Sequence, residues 1–141
     1  MPSLDTIIPR FRNADRTTRL ETLLDYARRL PALPERLVAE KALGHNLVHE
    51  CQTPVFLWTE VNDGQVHIFA DVPAESPTVR GFVSLLARAL DGRSPEEVSR
   101  VPDDLLDQLG LTETLGMTRT QGLSAILARI KRAATFGAGR P

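Results

Sequence analysis

The residues of this sequence with the most chemical potential lie around its only cysteine, Cys51. A cysteine reacts as the thiolate, so its reactivity depends on solvent access and on neighbours that favour the anion. Gln52 and Thr53 follow it, and polar neighbours argue against a deeply buried position. Glu50 precedes it and would oppose thiolate formation through its charge. On these residues alone, Cys51 is either an exposed nucleophile or a small buried side chain, since cysteine is among the most buried residue types.

A metal site is a second chemistry that this segment could support. On a helix, two histidines four residues apart share a face, as zinc ligands often do. Gly44 and the β-favouring residues nearby argue against a helix here, and a structural zinc site needs a closed set of four ligands. We therefore predict that the protein holds no metal. The residues considered as ligands are His45, His49, Glu50 and Cys51.

The composition is typical of one ordinary globular domain. Of 141 residues, 42% are hydrophobic and 25% are charged. The 17 basic and 18 acidic residues give a net charge of -1, which argues against nucleic-acid binding. No apolar run approaches the roughly 20 residues that span a bilayer, and one cysteine cannot form an internal disulfide. We expect a cytoplasmic protein that binds neither nucleic acid nor membranes.

Cys51 is predicted to lie in a connection between a helical region and a β-hairpin. Apolar residues with helical spacing run from Leu20 to Leu30, and a weaker, irregular or short helical connection follows at 33–43. After a short extended piece at 46–48, β-branched and aromatic residues predict strands at 55–61 and 66–72. The turn between these strands contains an Asp-Gly pair, which readily adopts the positive φ of a tight hairpin. Functional side chains tend to gather in such connections.

The second half of the sequence predicts helices around this hairpin. Serine-proline pairs are typical of helix starts, and glycine is typical of helix ends. The elements together predict an α+β domain at 1–136, in which a small antiparallel sheet built on the hairpin packs against several helices. A disordered tail is expected at 137–141. The predicted helices run from Ser76 to Gly92, from Ser94 with Glu97 as a capping box, from Pro102 to Gly110, and from about Thr118.

The order of these motifs resembles the SufE family of cysteine desulfuration proteins. Segment 48–56, Val-His-Glu-Cys-Gln-Thr-Pro-Val-Phe, is similar to the family's active-cysteine segment, Val-x-Gly-Cys-Gln-Ser-x-Val-Trp. The likeness continues in the same order over most of the chain, and the ordered series is more specific than any single motif. This sequence departs from the family pattern at Glu50, Thr53 and Phe56. The further similar segments are 63–66, 76–82, 94–98, 109–111 and 117–123.

The resemblance implies a SufE/NifU-like fold and a sulfur-carrying function. Cys51 would accept sulfur as a persulfide from a SufS-type cysteine desulfurase, which carries pyridoxal phosphate, and would pass it to an iron–sulfur scaffold complex of the SufB type. The chain itself would need no cofactor and would act as an accessory sulfurtransferase. Arg119 would favour a thiolate or persulfide anion if it folds next to this cysteine. The supporting or partner-binding residues that we predict are Arg119, Gln52, Glu50, Thr53 and His49.

Two other functions are compatible with the residues. The chain could be a non-catalytic module that regulates a desulfurase, with Cys51 incidental. It could also be a single-cysteine thiol redox protein, although it has no second cysteine to resolve an oxidised one. Replacing Cys51 with serine distinguishes the carrier from the regulatory module, since only the carrier depends on the thiol.

Overall fold

A computed structural model describes residues 3–49 and 52–138, and these residues form an α+β fold. The three strands are β1 (Leu47–Val48), β2 (Val55–Asn62) and β3 (Gln65–Asp71). The helices within the described residues are α1 (Leu4–Arg12), α2 (Arg16–Arg28), α3 (Glu35–Ala42), α4 (Pro77–Leu90), α5 (Pro95–Ser99), α6 (Leu105–Gln108), α7 (Leu111–Leu115) and α8 (Met117–Ala138).

The strands form an antiparallel sheet in the order β1-β2-β3. The predicted hairpin joins β2 to β3, with Asn62 paired to Gln65 across the turn. Asp63 and Gly64 have φ values of 53° and 75°, as a two-residue turn of the I′ kind requires. On the other side, Val48 of β1 pairs with the first residue of β2, so the connection that contains the cysteine spans 49–54.

The core lies between the sheet and the helices, and α4 is at its centre. Nearly every residue of α4 from Val79 to Leu90 is buried, and the helix packs against both α2 and β3. The approach to α2 is close at Gly81, because a Cβ added there would overlap the Leu23 carbonyl oxygen. α8 packs against β2 and α5 and buries Leu123 and other apolar residues that its spacing predicts. The α+β prediction is therefore confirmed.

Helix α3 is held on the sheet by charged pairs. The Arg36 guanidinium donates to both carboxylate oxygens of Glu60, at 2.6 and 2.7 Å, and lies 5.5 Å from the centre of the Phe69 ring. Lys41, further along the helix, forms an ion pair with Asp71. Since α3 leads directly into β1, these contacts help to fix the chain before the connection at 49–54.

Asp15 and Ser94 cap the helices that follow them, and Ser76 does not. The Asp15 carboxylate accepts a hydrogen bond from the Thr18 amide at 2.8 Å, which lowers the pKa of that carboxyl. Ser94 and Glu97 form the predicted reciprocal capping box, with distances of 3.1 and 3.2 Å. Ser76 precedes α4 as predicted, but its side chain makes no capping hydrogen bond, so that part of the prediction is wrong.

The sequence patterns did not predict helices α1 and α7. α1 contains Pro9 and buries only Ile7 and Phe11, too few apolar positions to reveal a helical period. α7 is a five-residue helix between Gly110 and Gly116, whose φ values are 72° and 86°. Gly110 does end a helix as predicted, but a second short helix follows it at once.

The last helix continues further than its apolar pattern predicts. α8 extends to Ala138, so its backbone includes the first two residues of the predicted tail. The remainder, 139–141, lies outside the described residues, and for it a disordered tail stays a prediction. None of the helices within 3–49 and 52–138 combines the length and apolar character needed to cross a membrane.

Candidate functional site

The β1–β2 connection begins at His49 and is described again from Gln52. Glu50 and Cys51, the predicted acceptor, lie outside the described residues. The site is therefore built from the residues on either side of them and from the elements that those residues contact.

The residues that follow the cysteine line a polar cleft of about 450 Å³. Gln52 and Thr53 form one wall, and the first turns of α4 and α8 form the others. The structure thus brings together three of the predicted site residues: Gln52, Thr53 and Arg119. Sequence spacing could not show that these residues lie together, since Arg119 is far from the other two in the sequence. Only the family resemblance linked them. The residues of this cleft that matter below are Gln52, Thr53, Glu75, Ser76, Thr118 and Arg119.

Arg119 and the starts of two long helices bring positive charge to the polar cleft. α4 has 14 residues and α8 has 22, and both helices begin at the cleft. The first amides of a helix lack intrahelical acceptors, and the aligned peptide dipoles give that end a partial positive charge. The Arg119 side chain is exposed and makes no hydrogen bond or ion pair within the described chain. Glu75 adds the one carboxylate among the lining residues. Such an arrangement favours a small anion, such as a thiolate or a persulfide, near Arg119.

A hydrogen bond joins the cysteine-containing connection to α4. The hydroxyl groups of Thr53 and Ser76 are 3.1 Å apart. Ser76 has φ −118° and ψ 67°, and its hydroxyl faces Thr53 instead of the amides of its own helix. No sequence signal predicted this contact, because a serine before a proline at a helix start normally indicates a cap.

The histidines do not join the polar cleft. His49 is exposed in the turn after β1 and is not among the residues that line the cleft. His45 is also exposed, with its Nδ1 atom 4.0 Å from a carboxylate oxygen of Glu40. Across 3–49 and 52–138, no group of three or more histidine, cysteine, aspartate or glutamate side chains is arranged to hold a metal. Because two of the four candidate ligands, Glu50 and Cys51, fall outside those ranges, the absence of a metal stays a prediction.

An α+β fold whose β1–β2 connection carries the only cysteine of the sequence, and lines a polar cleft at Gln52 and Thr53, defines a small thiol-bearing protein. The sequence model described as "SufE: Fe-S metabolism associated domain" matches residues 5–134. The chain therefore belongs to the SufE family, as the resemblance predicted.

Similar proteins cover most of the chain. An uncharacterized SufE-like protein of Mycobacterium tuberculosis is 41% identical over 130 residues, covering 92% of this chain and 89% of that protein. The sulfur acceptor protein CsdE of Escherichia coli is 34% identical over 106 residues, covering 74% of this chain and 68% of that protein. The solution structure of a hypothetical protein from Thermus thermophilus has a TM-score of 0.82 and 34% identity, and covers 97% of this chain and 96% of that one.

Proposed function

We propose that this protein accepts sulfur from a cysteine desulfurase, carries it as a persulfide on Cys51 and delivers it for iron–sulfur cluster assembly. Membership of the SufE family and the similarity to a protein named as a sulfur acceptor support the acceptor role. The observation that carries the proposal is the position of the only cysteine: its covalent neighbour, Gln52, lines the polar cleft together with Arg119.

The transfer is an exchange between thiols that needs no external oxidant or reductant. The Cys51 thiolate attacks the outer sulfur of a persulfide on the donor's cysteine. The bond between the two donor sulfurs breaks, and the donor cysteine leaves as a thiolate. The sulfur that is transferred is then bonded to Cys51 as a new persulfide. Delivery to the next acceptor repeats the same exchange, with Cys51 as the leaving thiolate.

Arg119 and the two helix starts act on the charge of the sulfur. A persulfide at neutral pH is an anion in this scheme, and so is the attacking thiolate. Both are favoured by a nearby guanidinium and by the partial positive charge of helix N-termini. Gln52 adds an amide that donates hydrogen bonds from the residue next to the sulfur carrier. Arg119 is thus proposed to support the reaction electrostatically, while Cys51 alone forms covalent bonds.

The proposed partners supply the chemistry that this chain lacks. The donor is a desulfurase of the SufS type, in which pyridoxal phosphate releases sulfur from free cysteine. The acceptor is an iron–sulfur scaffold complex of the SufB type. In this scheme the chain binds no cofactor and works in the cytoplasm, with Glu50, Thr53 and His49 at the surface that meets a partner.

Replacing Cys51 with serine tests the carrier function. With a matched desulfurase and free cysteine, the wild-type protein is expected to increase the rate of alanine formation, because it removes sulfur from the donor. The Cys51→Ser variant should bind the desulfurase but should not increase this rate. If the variant stimulates as well as the wild type, the chain is a regulatory module and the carrier proposal is wrong.

A further inference from the structure

The outer edge of the sheet is open along part of β3. The strand order β1-β2-β3 leaves β3 without a neighbouring strand on one side. Near the hairpin this side is covered, because Val66 donates to the Arg93 carbonyl at 2.7 Å and accepts from the Gly92 amide at 2.8 Å. In an antiparallel pair, successive residues direct their backbone groups to opposite sides of the strand. The backbone groups of Ile68 and Ala70 therefore point to the same side as those of Val66.

On this open side, the backbone groups of Ile68 and Ala70 lack hydrogen-bond partners. Within 3–49 and 52–138, no backbone hydrogen bond joins them to another element, while the alternate residues His67 and Phe69 direct their groups to β2. Ile68 and Ala70 are only 8% and 4% exposed. Buried backbone groups are nearly always paired in folded proteins, so these two residues offer donors and acceptors to a ligand.

This open edge lies in a cleft of about 230 Å³, which we call the edge groove. Residues 68–70 of β3 line it together with the segment 30–34, which joins α2 to α3, and with Ala87 and Arg88 near the end of α4. Apart from Arg88 and Asp91, the residues that line it are apolar. The edge groove shares no lining residue with the polar cleft, so it is a separate surface.

We propose that the edge groove binds an extended segment of a partner protein, which joins the sheet as a strand antiparallel to β3. The unpaired donors and acceptors of Ile68 and Ala70 carry partial charges at strand spacing, and the backbone of another extended segment complements them. The stretch from Ile68 to Ala70 is about 7 Å long, which matches about three residues. This binding role does not depend on the proposed sulfur function.

The groove also selects the side chains of the partner segment. Partner residues directly opposite Ile68 and Ala70 place their side chains on the same face of the sheet as these two residues. That face packs against α4 and contributes to the hydrophobic core. Apolar side chains are therefore favoured at these alternate positions of the segment, and polar side chains are tolerated between them.

A second copy of this chain is a poorer occupant of the edge groove. Its own β3 lies between the same walls, so the walls of two grooves would meet before the two edges came within hydrogen-bond distance. A single extended segment carries no such walls. The geometry therefore favours a different protein that presents a narrow, extended stretch of chain.

The test uses the full chain and the peptide acetyl-Lys-Thr-Val-Thr-Val-Thr-Lys-amide, followed by the amide signals in NMR spectra. Addition of the peptide should shift the signals of Ile68 and Ala70 and leave that of Arg119 in the polar cleft unchanged. At about ten times the Kd of the peptide, hydrogen exchange at the two β3 amides should slow about tenfold. N-methylation of both valines should abolish binding, because their amides face β3, whereas N-methylation of two threonines should not.

Ala70→Pro tests the edge from the side of the protein. Proline removes the outward amide and is tolerated on an edge strand, so peptide binding should weaken about two- to tenfold, as expected for one lost hydrogen bond. Ala74→Pro is the control: Ala74 lies in the exposed turn after β3, outside the edge groove, at a position that accepts proline. Its affinity should equal that of the wild type.

Three results would overturn the inference. One is the absence of any shift at Ile68 and Ala70 with the unmethylated peptide. Another is equal binding, or equal loss of binding, for the two methylated peptides, which decide the question even if Ala70→Pro does not fold. The third is slower exchange of the two amides at higher protein concentration without peptide, since this would show that a second copy occupies the groove.

Discussion

At the scale of single residues, the polar cleft depends on side chains from distant parts of the chain. Arg119 comes from the first turn of α8, while Gln52 and Thr53 come from the connection between the first two strands. Arg119 is exposed and makes no ion pair among the residues described. It can therefore act on a sulfur anion or on a partner without first breaking a contact within its own fold.

Arg119→Ala is expected to slow sulfur uptake by Cys51 by about two- to fivefold, since a partly exposed charge interaction is screened by solvent. The effect should become smaller at high salt, and Arg119→Lys should recover part of the rate. The free energy of unfolding should not change, because the side chain is exposed. Uptake is measured from a desulfurase loaded with persulfide in advance.

Arg132→Ala provides the control for this prediction. Arg132 is an exposed arginine on the same helix and is not among the residues that line the polar cleft. Its replacement should leave uptake unchanged. Equal rates for Arg119→Ala and the wild type would remove Arg119 from the proposed mechanism.

The sequence predicted the identities of these residues better than their contacts. Cys51 was singled out because it is the only cysteine, and Arg119 because of the family resemblance. The contact between Thr53 and Ser76 could not be predicted, since serine before proline is a general signal for a helix cap. The Ser76 hydroxyl could bond either to an amide of its own helix or to a group on another element. The sequence alone does not decide between them, because the second partner comes near only in the tertiary structure.

At the scale of elements, the packing of α2 on α4 supports one wall of the polar cleft. Gly81 allows this approach, because its missing side chain leaves room for the backbone of Leu23 on α2. Arg80, one residue earlier, donates to the carbonyl oxygens of Ala27 and Val72, at 2.9 and 2.6 Å. The start of α4, with Ser76, is thus fixed by both a close backbone contact and a charged side chain.

Gly81→Ala is expected to destabilise the fold by about 2 kcal/mol or more, because the added methyl group overlaps backbone atoms that cannot move independently. Alanine is intrinsically better than glycine in a helix by at most about 1 kcal/mol, so the overlap should dominate. The measurement is the free energy of unfolding in urea. A variant as stable as the wild type, or more stable, would show that the two helices do not pack this closely.

The elements that could be predicted are those with strong local signals. Asp63 and Gly64 identified the hairpin turn, and both adopt the positive φ that the turn requires. Ser94 and Glu97 likewise identified the start of α5. α1 and α7 could not be predicted in this way, because they are short and are stabilised by contacts that are distant in sequence. The buried Arg19 illustrates this, since it donates to the carbonyl oxygen of Phe11 in α1 and to that of Gly110 just before α7.

At the scale of the whole molecule, the fold fixes the two ends of the connection that contains the cysteine. The β1 and β2 ends are fixed by strand pairing, and Arg129 of α8 also donates to the Leu47 carbonyl at 3.3 Å. The polar cleft lies where the connection meets the starts of two long helices.

The fold as a whole was more predictable than the site. The α+β class follows from the β-branched and aromatic residues at 55–61 and 66–72 together with the apolar stripes of the helices, all of which are local patterns. The polar cleft requires the starts of α4 and α8 to converge, which depends on how every element packs. Local patterns carry no information on that convergence, so only the resemblance to the SufE family linked Arg119 to Cys51.

The central claim is that Cys51 accepts a sulfur atom, and intact-protein mass spectrometry tests it most directly. The protein is incubated with a matched, active desulfurase and free cysteine, and its mass is compared with that of the Cys51→Ser variant treated in the same way. The account predicts a gain of one sulfur mass in the wild type, reversed by a reductant, and no gain in the variant. No gain in the wild type, or an equal gain in both proteins, would contradict it.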